Sequence, residues 1–409
     1  MCKILLLGVN TRSMVKSALN LGFEVYSSSY YKTFDFEYDV YEKHILDQKA
    51  DFSCGFFEER YSVEDILSNA DSYLDVVDCI VLCSGISSSD FKGKYRKYVS
   101  KIVGNCDVSG IEDKFSFYKK VCCDFLVPET FSIVDIDEVY EIVKNNVDDE
   151  YILKPRYGSG GYGVYFIKYE KLDEIKMDSF DYENFDKNKW ILQKRIKGTN
   201  ISSSILSTKN TAKNIINSRL LNQNDFNINS YKYGGNILPL NQESLKILNK
   251  KENLPKHIPY NEIIKNSEEI IKKLKLIGNN GVDMILTPNN EVYTIEVNPR
   301  LQGTYECIEE LLNINMLEAH IKACQNEIIE IPKIKNNTYC MKKLIYTNNK
   351  IKVENLKYNN IYDIPHPNVK IEKNQPLVTL INKGNDLKKV YNDITTCEKI
   401  VNNKIRKID

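Results

Sequence analysis

The chain has 409 residues, enough for two or three domains, and its 42% hydrophobic content is sufficient for ordinary cores. Its 56 basic and 56 acidic residues cancel to a formal net charge of +0, so no domain-wide basic excess points to nucleic acid. No apolar run approaches the ~20 residues of a membrane span, and no partner of either kind is expected.

Met1 to Val9 is short and runs straight into the polar Asn10-Thr11-Arg12, so it reads as a first strand rather than a signal peptide. That strand is Lys3 to Gly8. Asn10 or Thr11 can cap a helix that reaches about Leu21 and stops at Gly22. Phe23 to Ser28 and Val77 to Cys83 read as further strands. Strands alternating with helices argue for a parallel sheet, whose ligands sit past the strand C-termini. Arg12 and the Ser84–Ser89 loop fall at that edge and are candidates for holding a second substrate. A helix-start arginine and a polar loop account for them equally well.

From Tyr151 to Ile167, a β-rich run ends in Lys154-Pro155-Arg156, crosses a glycine-rich loop and resumes as a β-rich run. Gly158, Gly160, Gly161 and Gly163, with Ser159 among them, let successive backbone N–H groups close on phosphate oxygens. No Gly-Lys-Ser/Thr follows and the next element looks like a strand, which excludes a Walker loop and a dinucleotide fingerprint. Taken alone, the loop fits a flexible hairpin as well.

Residues 207–260 are asparagine-rich, with a Gly234-Gly235 turn between apolar flanks. Residues 261–277 have the helical spacing of Ile263, Ile264, Ile270, Ile271 and Leu274. Next come two alternating runs, Gly281 to Leu286 and Glu291 to Asn298, around Pro288-Asn289-Asn290. A two-residue Asn289-Asn290 turn would pair Pro288 with Glu291 and so set Asp283 opposite Glu296, about 5 Å apart on one face. Two such carboxylates repel unless a divalent cation lies between them. Asn298 shares the face, and oxygen ligands of this kind suit Mg²⁺, with Mn²⁺ as a substitute. From about residue 335 short β-rich runs follow, the clearest being Asn374 to Ile381, and a final helix includes Leu387 to Val401.

The 11 cysteines are odd in number and scattered, with no zinc-like spacing, and read as reduced thiols of a cytoplasmic protein. The four histidines form no cluster.

Together these motifs resemble the ATP-grasp superfamily over about residues 107–325. The opening Leu7 to Arg12, the Tyr231–Leu240 stretch and Asp363-Ile364-Pro365-His366-Pro367 look like one archaeal and bacterial group within it. That group is described as predicted ATP-dependent carboligases related to biotin carboxylase. The resemblance implies an α/β (α+β) fold: a Rossmann-like pre-grasp domain (1–106), the ATP-grasp domain (107–330) and a small β-rich C-terminal domain (331–409). It implies that Lys114 and Lys154 contact phosphates and that Gly158 to Gly163 form a mobile cover over them. Lys194 and Ile196 would read adenine through their backbone, with Gln193 near its amino group. Asn200 stands where many members have an acidic ribose ligand. Asp283, Glu296 and Asn298 match the metal ligands, and Arg300 matches a basic residue that stabilises the reacting group. Arg300-Leu301-Gln302 is similar to the biotin carboxylase branch, but Thr304 replaces that branch's glutamate base.

The implied activity is an ATP-dependent ligase that activates a small-molecule carboxylate as an acyl phosphate and joins it to an amine. The alternatives are a carboxylase activating bicarbonate and a non-catalytic nucleotide-binding regulator. Related enzymes are often homodimers.

Overall fold

A computed structural model describes residues 1–172, 189–228, 230–248, 254–334 and 337–408. Four sheets organise them. The first is wholly parallel, in the order Tyr41–Leu46, Glu24–Tyr31, Lys3–Gly8, Cys79–Leu82. Its strand Lys3–Gly8 is apolar at every position from Ile4 to Leu7 because both faces are covered. Ile4 and Leu6 join a core with Leu206, Ile308 and Ile381 of the central sheet, while Leu5 and Leu7 pack with Ile66, Leu74 and Ile80. The first helix is Arg12–Asn20, and Thr11, instead of capping it with its side chain, bonds the Ser27 hydroxyl at 2.7 Å.

The second sheet is four-stranded and antiparallel, in the order Thr130–Ile133, Trp190–Lys194, Glu150–Pro155, Tyr165–Lys168. It carries Lys154, Gln193 and the glycine loop. The third is the eight-stranded antiparallel sheet Val292–Asn298, Gly278–Leu286, Thr199–Ser207, Ala212–Asn222, Tyr233–Leu238, Tyr339–Tyr346, Pro376–Gly384, Ile361–Tyr362. Residues beyond 331 thus extend this sheet and add a small three-stranded one, Lys370–Ile371, Ile351–Val353, Ile405–Lys407. The helix Leu387–Asn403 lies against the strands Tyr339–Tyr346 and Pro376–Gly384. The division into three domains at 106 and 330 remains a proposal about folding units. Among the described residues no helix is long and apolar enough to cross a membrane.

Candidate functional site

The hairpin bears out the expected pairing by an unexpected route. Asp283 lies opposite Glu296. The turn, however, is one residue longer than expected: the Thr287 N–H donates to the Glu291 carbonyl at 2.9 Å, Leu286 faces Val292, and Asn290 takes the left-handed conformation with φ 67°. Asparagine tolerates that conformation. Continued without interruption, this register would set Asp283 opposite Ile295 and turn Glu296 away. A bulge between the Asp283 and Met284 pairings absorbs the extra residue and brings Glu296 onto the Asp283 face.

The Asp283 carboxylate is oriented by two donors, Ser202 Oγ at 2.5 Å and Asn298 Nδ2 at 2.9 Å. Ser202 sits opposite Asp283 on the neighbouring strand and takes a further bond from Gln302 Nε2 at 3.0 Å. Burial, then the charge of Glu296, pushes the Asp283 carboxyl up to about 7. The nearest cation to Glu296 is Lys114 Nζ at 3.8 Å. Among the described residues no three His, Cys, Asp or Glu cluster as metal ligands. A cation here would therefore draw on two carboxylates, the Asn298 carbonyl and ligand oxygens, a donor set that suits Mg²⁺.

Lys114 opens the helix Lys114–Val121, and its ammonium donates to the Gly158 carbonyl at 2.7 Å. Lys154 ends the strand Glu150–Pro155 and donates to Gln193 Oε1 at 2.9 Å, while Gln193 Nε2 donates to Thr130. Burial lowers the Lys154 ammonium to about 8, with Glu296 opposing that shift. Asp113 and Arg156 were not singled out in the sequence, yet they tie the two lysines together. Asp113 caps the Lys114 helix through the Phe115 and Ser116 N–H groups and pairs with Arg156, two residues past Lys154. An aspartate just before a helix is a readable cap; its partner 43 residues away is not.

The glycine loop lies across the site. Tyr233 N–H donates to the Gly160 carbonyl at 2.9 Å. A Cβ on Gly161 would meet the Tyr231 carbonyl oxygen at 2.0 Å, so only glycine fits that seat. Tyr162 is anchored with Phe57 at 6.0 Å between ring centroids and Lys232 Nζ at 4.3 Å over its ring. Lys194, Ile196 and Asn200 line the opposite end of the same cavity. The Lys194 N–H is spent on the Glu129 carbonyl at 2.8 Å, which leaves that donor unavailable to a base.

Arg300 also lines the cavity. It reaches the Leu301 carbonyl at 3.2 Å and Asn298 Oδ1 at 3.4 Å, and among the described residues forms no ion pair. Thr304 lines it too, with a buried hydroxyl that has no hydrogen-bond partner. Arg12 differs from its sequence reading. It is 5% exposed and bound to Asp363 at 2.7 Å, Glu306 at 2.8 Å and Asp35 at 3.4 Å, so it is committed to the protein rather than open to a substrate. Of the Ser84–Ser89 loop, Ser84 reaches the main cavity, whereas Ser87 and Ser88 lie at a small separate one beside Glu112.

One cavity of about 1160 Å³ thus gathers the lysines, the glycine loop, the carboxylate pair and Arg300. Residues 111–304 match the model of the ATP-grasp domain. The chain belongs to the ATP-grasp superfamily. It is 30% identical over 397 residues to the uncharacterized protein MJ0776 of Methanocaldococcus jannaschii, covering 96% of this chain and 91% of that one. Among solved structures, this ATP-grasp protein is similar to N5-carboxyaminoimidazole ribonucleotide synthetase from Thermotoga maritima, with a TM-score of 0.64 and 16% identity over 100% of both chains. It is also similar to the biotin carboxylase domain of Hydrogenobacter thermophilus 2-oxoglutarate carboxylase, a complex with MgADP, ADP and bicarbonate. There the TM-score is 0.68 at 14% identity, over 100% of this chain and 91% of that one. At these identities the two structures speak for the fold alone.

Proposed function

We propose that this is a cytoplasmic ATP- and Mg²⁺-dependent ligase that activates a small-molecule carboxylate and joins it to an amine. The observation that carries this reading is Arg300, a guanidinium without a protein counter-ion, in the same cavity as the phosphate lysines and the Asp283/Glu296 pair. It offers a second anion site beside the first.

In this reading Lys114, Lys154 and the backbone of Gly158, Ser159, Gly160, Gly161 and Gly163 hold the ATP phosphates. Gln193, Lys194 and Ile196 hold adenine, Lys194 through its carbonyl, and Asn200 meets the ribose. Mg²⁺ bound by Asp283, Glu296 and Asn298 supplies charge neutralisation to the phosphates. Arg300 orients the carboxylate so that its oxygen attacks the γ-phosphorus, and the bond to ADP breaks with its electron pair leaving on ADP. The amine nitrogen then attacks the acyl carbon. The C–O bond to phosphate breaks, phosphate departs with the pair, and the nitrogen loses a proton. Lys114 and Lys154 stabilise the charge that shifts towards ADP in the first step. The loop that carries Tyr162 excludes water from the acyl phosphate.

A second reading takes bicarbonate as the carboxylate. Arg300-Leu301-Gln302 and the folds of the neighbours favour it. Thr304 opposes it, because a threonine hydroxyl does not accept a proton at neutral pH as a carboxylate would.

The test is positional isotope exchange in ATP. A carboxylate substrate, without amine, supports exchange of the β,γ-bridge oxygen, and hydroxylamine traps a hydroxamate. Bicarbonate-stimulated ATP cleavage, with neither exchange nor hydroxamate from any carboxylate, would replace this reading with the second.

A further inference from the structure

The cavity continues past Arg300 to the C-terminal edge of the parallel sheet. Asn10 follows the first strand, Thr33 the second, Gln48 the third in chain order and Ser84 the fourth, and all four line it. At about 1160 Å³ it exceeds the roughly 300–1,000 Å³ of a pocket for one ligand, which leaves room beyond a nucleotide.

None of the residues that this domain contributes to the wall is charged. The wall is aromatic: Tyr30 packs edge-on against Phe57 at 5.3 Å and Tyr31 at 5.4 Å. The charges opposite are already neutralised, Asp363 by Arg12 and Lys342 by Glu306. A phosphate placed here would be a buried charge without a counter-ion. A ring would find aromatic faces and edges.

Two further atoms lack partners. Tyr30 and Thr33 are each 3% exposed, both line the cavity, and neither hydroxyl has a hydrogen-bond partner. Buried hydroxyls are rarely left so, and a ligand group can supply the missing bond.

We infer that this end of the cavity takes an uncharged, ring-bearing part of the second substrate. The Tyr30 and Thr33 hydroxyls bond a polar substituent on that ring, and no phosphate lies there. The inference rests on the reading above only in that a second substrate enters this cavity.

The test uses the full chain saturated with MgADP, and ligand-observed NMR with two probes, 4-hydroxybenzamide and ribose 5-phosphate. 4-Hydroxybenzamide should bind saturably and ribose 5-phosphate should not. The double variant Tyr30→Phe/Thr33→Val removes only partnerless hydroxyls. It should weaken 4-hydroxybenzamide binding roughly tenfold, with unchanged MgADP affinity reporting an intact fold. Absence of 4-hydroxybenzamide binding, binding of ribose 5-phosphate, or equal affinity in the double variant would each overturn the inference. Binding requires no turnover, so failure to detect amide synthesis refutes the proposed reaction without touching this result.

Discussion

At the junction of the parallel sheet with the central one, Asp35, Glu306 and Asp363 surround Arg12 and Lys342. On the hairpin, Asp283 faces Glu296 with Lys114, at 3.8 Å from Glu296, as the nearest counter-charge. Both clusters bury carboxylates, yet their acidities move apart. Burial alone would raise the Asp363 carboxyl, but Arg12 and Lys342 outweigh it and hold that group well below the usual carboxylate range. At Asp283 burial and Glu296 act together, and the carboxyl rises to about 7. A cluster that neutralises itself is structural. One that leaves negative charge facing a cavity awaits a cation from outside.

The largest effect that separates the two is at Arg12. Arg12→Ala leaves buried carboxylates unpaired and should cost about 3–5 kcal/mol of stability, read as a lower midpoint in urea. A loss under about 1 kcal/mol would mean that the cluster is solvated like a surface pair. Asp363→Asn keeps the shape and should cost about 2 kcal/mol at neutral pH. The sign of its pH dependence follows from the depressed carboxyl. The stability it contributes is present above about pH 4 and shrinks as the pH falls below that value. Wild type and Asp363→Asn should therefore converge in acid; a difference that persists unchanged at low pH would contradict the ion-pair account.

At the other cluster the stability prediction reverses. Glu296→Gln removes repulsion with Asp283 and should leave stability unchanged or raise it by about 0.5 kcal/mol without added metal, measured by thermal unfolding in a chelator. Lys154 gives a pH test of the same end. Its ammonium is lowered to about 8, so ADP affinity should hold below that pH and fall above it as the charge is lost. A flat profile up to pH 9.5 would remove Lys154 from the phosphate site.

What was legible in the sequence differs between these regions in the same way. The hairpin and the lysine–glycine run are local, and their periodicity and turn chemistry are written in consecutive residues. The bulge was not legible, because the alternating pattern of Glu291 to Asn298 does not reveal where an extra residue is absorbed. The expected turn was one residue short, and the bulge compensated for it. Arg12 was misread because its partners Glu306 and Asp363 lie 294 and 351 residues away. The strand Tyr41–Leu46 escaped notice because, as an edge strand, it is nowhere fully buried and reads Tyr-Glu-Lys-His-Ile-Leu. Ser202 could not be assigned to Asp283, since a run of three serines gives no register.

The most direct measurement is calorimetric binding of ADP with and without Mg²⁺, to wild type and to Glu296→Gln. If the carboxylate pair is left unbalanced for a metal–nucleotide complex, Mg²⁺ strengthens ADP binding to wild type by at least about tenfold, and that increment vanishes in Glu296→Gln while metal-free ADP binding persists. An undiminished Mg²⁺ increment in Glu296→Gln would contradict the account.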